Sequence, residues 1–174
     1  MIYFQSSDMG IRDMIESDVA VRMADDIAHG WETSHERHRL RVKDAAAKRC
    51  VALAADYHGH PAGFVSVYFP ARIKAYAVQN IPEIVDFGVF EKFRMRGVGA
   101  KLMDIAEKIA GERCDTVCLG VGLHSGYGAA QRLYIKRGYI PDGTGVWYQD
   151  RVCEPYTECR NDDDLVLYLS KMLR

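Results

Sequence analysis

Cysteines, prolines and long apolar runs are all scarce in this chain. Its 174 residues include five cysteines and five prolines, and no two cysteines have the C-x-x-C spacing of a metal or redox motif. The longest apolar runs, such as residues 51–55, are far shorter than the roughly 18 residues that span a membrane. The N-terminus also lacks the basic-then-apolar pattern of a secretion signal. These absences predict reduced thiols, no membrane helix and a cytoplasmic location.

A surplus of basic charge is missing as well. The formal net charge is −1, whereas a protein that binds nucleic acid through phosphate contacts usually carries a basic excess. Hydrophobic residues make up 48% and charged residues 27%, which is typical of a globular protein. The length predicts a single domain over residues 1–174. Because Tyr3-Phe4-Gln5-Ser6 resembles the remnant of a cleaved tag, residues 1–9 are interpreted as tag-derived or disordered and given no weight in the fold.

Hydrophobic periodicity and breaker residues predict alternating strands and helices. Ser17 and Asp18 are expected to cap a first helix whose apolar positions are Val19, Met23 and Ile27. A turn at residues 59–63 is expected to join two strands into a hairpin. Further helices are predicted at residues 32–49, 98–110 and 128–137, and strands at residues 11–15, 50–57, 64–69, 84–90, 116–121, 145–149 and 165–169. This order indicates a mixed α/β fold.

The segment that carries most chemical information runs from residue 89 to residue 100 and joins a strand directly to an amphipathic helix. Gly97 and Gly99 allow a tight bend and close approach to a ligand, and Arg94 and Arg96 add positive charge beside the helix N-terminus. Such a turn can hold a pyrophosphate. A dinucleotide G-x-G-x-x-G motif is excluded because position 102 is Leu102, and no G-x-x-x-x-G-K-[ST] loop occurs. A helix that merely begins with glycine and surface arginines is the alternative.

Two motifs resemble the GNAT acetyltransferases. Arg94-Met95-Arg96-Gly97-Val98-Gly99 matches the family's [R/Q]-x-x-G-x-[G/A] turn at every fixed position, and residues 130–139 (AQRLYIKRGY) look like its A-x-x-L-Y-x-x-x-G-[F/Y] helix. The resemblance covers about residues 11–170. It implies an α/β (α+β) acyl-CoA-binding fold, with a mixed central sheet of about six or seven strands flanked by about four helices.

The resemblance also implies roles for particular residues. Acetyl-CoA would be the co-substrate, with its pantetheine arm on the backbone of Phe87 and Val89. The turn would hold its pyrophosphate through residues Arg94, Met95, Arg96, Gly97, Val98 and Gly99. Tyr134 matches the tyrosine that commonly protonates the departing CoA thiolate, which a phenol with a pKa of about 10 can do with help from its surroundings. The alternative for Tyr134 is a core tyrosine on a helix face.

Glu83 is the candidate general base, because it occupies the place of the glutamate in the E-I-V sequence of histone-type members. An amine with a pKa near 10.4 must lose a proton before it attacks a thioester, and a carboxylate acting through water could accept that proton. Asp86, three residues further on, is a second candidate, although on a regular strand it would face away from Glu83. Bulk water or the substrate itself is the third possibility.

The chain departs from the family at residue 127. Many members have an asparagine seven residues before the helix tyrosine, where it contacts the pantetheine, and here that position is Tyr127. Ser125 or the backbone is expected to replace this contact.

The remaining polar clusters are interpreted more simply. His35 with His38, and His58 with His60, lack a third ligand at a useful spacing, so no metal site is predicted. Cys153 and Cys159 flank a loop and are interpreted as two free thiols. A cluster of acidic residues near the C-terminus could form a rim that suits a cationic amine, or simply a solvated surface: Glu154, Glu158, Asp162, Asp163 and Asp164.

These observations predict an acetyl-CoA-dependent N-acetyltransferase that moves acetyl to a primary amine of a small molecule or peptide by direct attack. No nucleic acid or membrane partner is expected. The oligomeric state is left open by the sequence, and a homodimer is one alternative because dimers are frequent in the family. Gly122-Leu123-His124-Ser125-Gly126 lacks the G-x-S-x-G spacing of a hydrolase. The alternatives are a non-catalytic acyl-CoA-binding regulatory module on the same fold and, less favoured, another kind of nucleotide-binding domain.

Overall fold

The computed structural model describes residues 1–173, and these contain five α-helices and nine β-strands. In chain order the elements are β1 (Ile2–Gln5), β2 (Met9–Asp13), α1 (Glu16–Ala28), α2 (His35–Ala46), β3 (Cys50–Tyr57), β4 (His60–Tyr68), α3 (Lys74–Ala77), β5 (Glu83–Val89), α4 (Val98–Gly111), β6 (Thr116–Gly122), α5 (Gly128–Lys136), β7 (Ile140–Tyr148), β8 (Arg151–Val152) and β9 (Leu165–Met172). The mixed α/β class is confirmed, with more strands than the six or seven predicted.

The chain divides into two compact units. The first comprises Met1–Phe69 with Ile84–Ile109, and the second Pro70–Glu83 with Ala110–Arg174. A single domain over residues 1–174 therefore stays a prediction.

Strands of the first unit follow the order β1-β2-β3-β4-β5. The pairs β1-β2, β2-β3 and β3-β4 are antiparallel, and Leu53 of β3 lies opposite Val65 of β4. Both of these side chains are fully buried. The hairpin is confirmed, but its turn is tighter than predicted, because His58 and Gly59 have φ values of +48° and +77° and close it with two residues. As a result β4 begins at His60.

The N-terminal residues belong to the fold. β1 pairs with β2, placing Gln5 opposite Gly10, and the Tyr3 hydroxyl donates a hydrogen bond to Asp13 Oδ1 over 2.9 Å. The structure therefore corrects the expectation that residues 1–9 are disordered and without weight. Their origin from a tag stays a prediction.

Helix α1 differs from its predicted amphipathic pattern. The Asp18 side chain accepts the Ile15 backbone N–H over 2.8 Å, so the helix begins at Glu16 and Asp18 caps it from inside the first turn. Val19 is fully buried as predicted, but Ile27 is 64% exposed, whereas Arg22 is only 6% exposed. The expected apolar face of α1 is wrong at Ile27. The buried side of the helix instead includes Arg22, which forms an ion pair with Asp86.

Helix α2 is shorter than the predicted span of residues 32–49. Ser34 caps its N-terminus by accepting the Arg37 backbone N–H. Helix α4 confirms its predicted apolar face, since Val98, Leu102 and Ala106 are almost completely buried. Together these helices give the first unit its packed faces.

The second unit has the strand order β6-β9-β7-β8, with all three neighbouring pairs antiparallel. Its core is aromatic, with Trp147 and Tyr168 in T-shaped contact at 5.3 Å and Tyr76 packed on Tyr168. Strand β7 begins five residues earlier than predicted. Its pairing with β9 is irregular between Pro141 and Val146, where Gly143 and Gly145 have positive φ, and these breakers hid the first half of the strand.

Across residues 1–173, every helix is too short or too polar to traverse a lipid bilayer.

Candidate active site

The segment between β5 and α4 is an exposed turn with two left-handed residues. Met95 has φ +60° and Gly97 has φ +81°, so the chain reverses sharply before α4 begins at Val98. The Arg94 backbone N–H donates to Glu91 O over 3.1 Å, and its guanidinium Nε donates to Val89 O over 3.4 Å. These contacts attach the turn to the end of β5.

The turn presents positive charge and unused backbone donors. The first i to i−4 hydrogen bond of α4 joins the Lys101 N–H to Gly97 O over 3.0 Å. The N–H groups of residues 98–100 come before it and have no acceptor within the helix. Arg94 and Arg96 are exposed beside them. Each favourable contact of an anion with such a helix end contributes about 0.3–1 kcal/mol. The 94–99 turn is therefore a suitable seat for a phosphate or pyrophosphate.

The two glycines of the turn act differently. A Cβ on Gly97 would meet nothing within 4 Å, so Gly97 is required by its backbone angle alone. A Cβ on Gly99 would lie 3.1 Å from Phe87 Cζ and 3.2 Å from Val89 Cγ2. Gly99 therefore lets α4 pack closely on the side chains of β5, and its expected role in the close approach of a ligand stays a prediction.

Glu83 lies at the start of β5 and is only 5% exposed. Its Oε2 accepts the Arg72 backbone N–H over 2.6 Å, which fixes the direction of the carboxylate. A buried, oriented carboxylate can accept a proton when a donor is brought to it.

Asp86 is committed to ion pairs. Its Oδ2 accepts Arg41 Nε over 2.6 Å and Arg22 Nη2 over 3.4 Å. Burial favours the neutral acid, but the charge and hydrogen bond of Arg41, with those of Arg22, outweigh it and lower the pKa of Asp86. A carboxylate with a lowered pKa is a weaker base, so this environment disfavours Asp86 as the general base.

Tyr134 is 6% exposed on α5 and packs edge-on against Tyr139 at 5.8 Å. Burial, followed by the proximity of Tyr127, raises the pKa of Tyr134 above its ordinary value of 10. The phenol therefore keeps its proton at neutral pH.

Ser125 and Tyr127 lie in a short turn that begins α5. Ser125 is exposed, and its carbonyl accepts the Gly128 N–H. The Tyr127 hydroxyl donates to Asp163 Oδ1 over 2.9 Å, and its ring covers Gly122 so closely that a Cβ there would clash. Tyr127 thus packs at the end of β6 in place of the family's asparagine.

His124 and Asp163 were not singled out as a pair by the sequence. His124 Nδ1 accepts the Gly126 N–H over 3.1 Å, so Nε2 carries the proton and donates to Asp163 Oδ1 over 2.9 Å. They are 39 positions apart in the chain, so no local pattern links them. Among residues 1–173, no group of three His, Cys, Asp or Glu residues is arranged to hold a metal ion, and all five cysteines are free thiols.

A family model described as the acetyltransferase (GNAT) family matches residues 19–139, which is more than half of the chain. The chain belongs to the GNAT acetyltransferase family. The resemblance based on residues 94–99 and 130–139 is thereby confirmed, and with it the expectation of an acetyl-CoA-dependent enzyme that transfers acetyl to an amine. Comparison with curated proteins gives no match.

Solved structures share the GNAT fold over nearly the whole chain. An acetyltransferase from Salmonella typhimurium, which modifies the N-terminal serine of ribosomal protein L7/L12, is 13% identical, with 99% of both chains covered and a TM-score of 0.71. A ribosomal-protein-alanine N-acetyltransferase from Brucella melitensis is 18% identical, covering 93% of this chain and 98% of its own, with a TM-score of 0.67. The putative acetyltransferase YncA from Salmonella typhimurium, solved with acetyl-CoA, is 15% identical, covers 97% and 95%, and has a TM-score of 0.67.

The predicted site residues of this GNAT chain fall into groups. In the first unit, Phe87 and Val89 lie half-buried on β5 and carry the 94–99 turn. In the second unit, Tyr134 and Ser125 lie on or beside α5, and Glu83 contacts Arg72. Sequence reasoning missed Arg22 and Arg41, because buried arginines on helices look like surface charges until their partners are known.

Proposed function

We propose that the chain transfers the acetyl group of acetyl-CoA directly to a primary amine of a small molecule or peptide, without an acetylated enzyme intermediate. The observation that carries this proposal is the 94–99 turn, which combines two left-handed residues, the N–H groups of the first helical residues and two exposed arginines at the start of α4. Its pyrophosphate seat comprises Arg94, Met95, Arg96, Gly97, Val98 and Gly99. The backbone of Phe87 and Val89 would bind the pantetheine arm.

Proton transfer is assigned to two buried side chains. Glu83 accepts a proton from the ammonium, directly or through water, and the neutral amine attacks the thioester carbonyl carbon. The C–S bond breaks as the C–N bond forms, and the CoA thiolate takes a proton from Tyr134. The nitrogen then loses its second proton as the amide forms, and that proton returns the Tyr134 phenolate to the phenol, directly or through water. The low exposure of Glu83 and Tyr134 supports this assignment, because proton-transfer groups with perturbed environments are typical of active sites.

Ser125 is proposed to supply the cofactor contact that asparagine makes in other members. Its exposed position at the start of α5 supports this role. Tyr127, whose hydroxyl is bonded to Asp163, is less suited to it.

The acceptor is proposed to be an amine that carries positive charge before the reaction. Two of the compared enzymes are named for ribosomal proteins as their acceptors, and a peptide amine is one candidate here. The acidic loop that contains Glu154, Glu158 and residues 162–164 supports a cationic acceptor. A cytoplasmic location and a homodimer remain part of the proposal, and size-exclusion chromatography with light scattering tests the latter.

One experiment tests the central proposal. Titration calorimetry should detect acetyl-CoA and CoA binding, with NAD and ATP as controls that do not bind. Thiol release from acetyl-CoA should then rise above background for at least one member of a panel of polyamines, amino acids and short peptides. Binding without thiol release across the panel would favour the non-catalytic regulatory module, and preference for NAD or ATP would contradict acetyl-CoA as substrate.

A further inference from the structure

Asp86 has a backbone conformation that a strand residue seldom adopts. Its φ is +52°, although it lies in the middle of β5 and is not a glycine. Left-handed conformations in non-glycine residues cost free energy and persist only where the surroundings enforce them. Asp86 directly precedes Phe87, Gly88 and Val89, so its conformation sets the course of the strand segment that follows.

Two arginines from the helices hold this conformation. Arg41 of α2 and Arg22 of α1 both donate to Asp86 Oδ2, over 2.6 and 3.4 Å, and each is less than 10% exposed. Arg41 is itself fixed by donating to the Tyr68 hydroxyl over 3.1 Å. Arg22 Nε and Nη1 are buried without a hydrogen-bond partner among residues 1–173, so Asp86 is its one hydrogen-bonded carboxylate there.

Arg22 reaches the same strand by a second route. Its guanidinium carbon lies 3.8 Å from the centroid of the Phe64 ring. That ring in turn covers Gly88 so closely that a Cβ on Gly88 would lie 2.5 Å from Phe64 Cζ. The helix side chain, the aromatic ring and the strand backbone thus form a continuous stack one residue away from both Phe87 and Val89.

We propose that Asp86 is a positioning residue for acetyl-CoA, with Arg22 and Arg41 acting as an arginine clamp that fixes its left-handed backbone. The clamp sets the shape of residues 87–89, which bind the pantetheine arm under the function proposed above. Helices α1 and α2 therefore influence cofactor affinity without touching the cofactor. This role replaces that of a proton acceptor for Asp86.

Substitutions at Asp86 separate backbone positioning from simple loss of charge. D86A and D86G both remove the carboxylate, but only glycine adopts positive φ without steric cost. We expect acetyl-CoA to bind D86A about tenfold more weakly than D86G, and D86N, whose side chain tolerates the left-handed region, to resemble the wild type most closely. Titration calorimetry gives the Kd values, and KM for acetyl-CoA should rise more than kcat falls.

The clamp itself is tested from the helix side. R41Q removes the shorter ion pair but leaves Asp86 in place, and R37Q removes an exposed arginine from the same helix as a matched control. R41Q should weaken acetyl-CoA binding several-fold, and R37Q should leave it unchanged. If D86A does not fold, the comparison of D86G, R41Q and R37Q with the wild type still decides the matter.

Two results would overturn the positioning role. Equal acetyl-CoA affinity in D86A, D86G and the wild type would show that the backbone of Asp86 does not matter for binding. Equal weakening in D86A and D86G would show that only charge or packing was lost. Failure of the wild type to bind acetyl-CoA is a different outcome, because it contradicts the proposed function rather than the clamp. In that case amide hydrogen exchange at residues 87–89 tests the clamp without the cofactor. Faster exchange in D86A than in D86G supports the clamp, and equal exchange contradicts it.

Discussion

The 94–99 turn and the two proposed proton-transfer groups lie at opposite extremes of burial. Met95 is fully exposed, whereas Glu83 and Tyr134 are 5% and 6% exposed. The turn offers backbone N–H groups and exposed cationic side chains, so its proposed function depends on φ angles and on space. Glu83 is proposed to accept a proton and Tyr134 to donate one, so their function depends on their buried surroundings. Substitutions should therefore fail in different ways in the two regions.

The largest effect is expected at Gly97. G97V places a β-branched side chain at φ +81° in the pyrophosphate seat, and we expect acetyl-CoA binding to be lost by calorimetry while the protein still folds. G59V is the matched control, because Gly59 has φ +77° and equally open surroundings but lies in the β3-β4 turn. Unchanged acetyl-CoA affinity in G97V would remove the turn from the cofactor site.

Replacing the proposed base should lower turnover without weakening the cofactor. E83Q keeps the shape and can still accept the Arg72 N–H, but it cannot take a proton. We expect kcat/KM to fall about 100-fold or more near neutral pH, since general bases contribute about 10²–10⁴. The deficit should narrow as pH rises, because more of the amine is then already neutral.

The control for this variant is E112Q, which changes an exposed glutamate in the same way. A pH profile of E83Q that overlays the wild type would exclude Glu83 from the mechanism and leave the proton to bulk solvent or the substrate.

Substitution of Tyr134 should also lower turnover without weakening cofactor binding, but by a smaller factor. Y134F removes the phenolic proton and little else, and we expect kcat to fall about 10- to 1000-fold with acetyl-CoA affinity retained. Y3F, which removes a hydroxyl bonded to Asp13 on β2, is the control. Normal turnover in Y134F would make Tyr134 a packing residue, and weaker acetyl-CoA binding would instead assign it to the cofactor site.

The smallest effect concerns stability and pH. Burial, followed by the charge of Arg22, lowers the pKa of His38, whose Nε2 lies 2.8 Å from Asp26. Because the unfolded chain binds this proton more readily, stability is full above the unfolded pKa of about 6.5 and is lost as pH falls below it. We expect the free energy of unfolding to fall by about 1 kcal/mol or less between pH 7 and 5.5.

Denaturant unfolding of H38Q should remove this slope, with the exposed H60Q as control. An equal slope in H38Q and the wild type would assign the pH dependence to other groups. No such slope in the wild type would show that His38 stays equally basic when folded.

Local patterns were enough to predict the elements beside the proposed cofactor site. Strand β3 was predicted with its observed bounds, and α4 to within one residue of its end, because each has a clear apolar period and a breaker beside it. The 94–99 turn was predicted from its glycines and arginines, since a chain reversal at a helix N-terminus requires those residue types locally. The family match confirmed the family that these motifs indicated.

Local sequence patterns could not predict contacts between residues that are distant in the chain. Arg41 and Asp86 are 45 residues apart, and nothing near either one shows that they form an ion pair. The same holds for the packing of Phe87 and Val89 against Gly99, which no local pattern shows. Strand β1 and the first half of β7 were missed because pairing with a neighbouring strand outweighs their poor local signals.

The sequence by itself determined the fold class, the family and the 94–99 turn, because periodicity, glycines and charges act over a few residues. Only the tertiary structure decided the surroundings of the candidate site side chains. It buried Glu83 and Tyr134, and it paired Asp86 with two arginines. The physical reason is that burial and ion pairing depend on which distant side chains meet, and acidity follows from those meetings rather than from residue type.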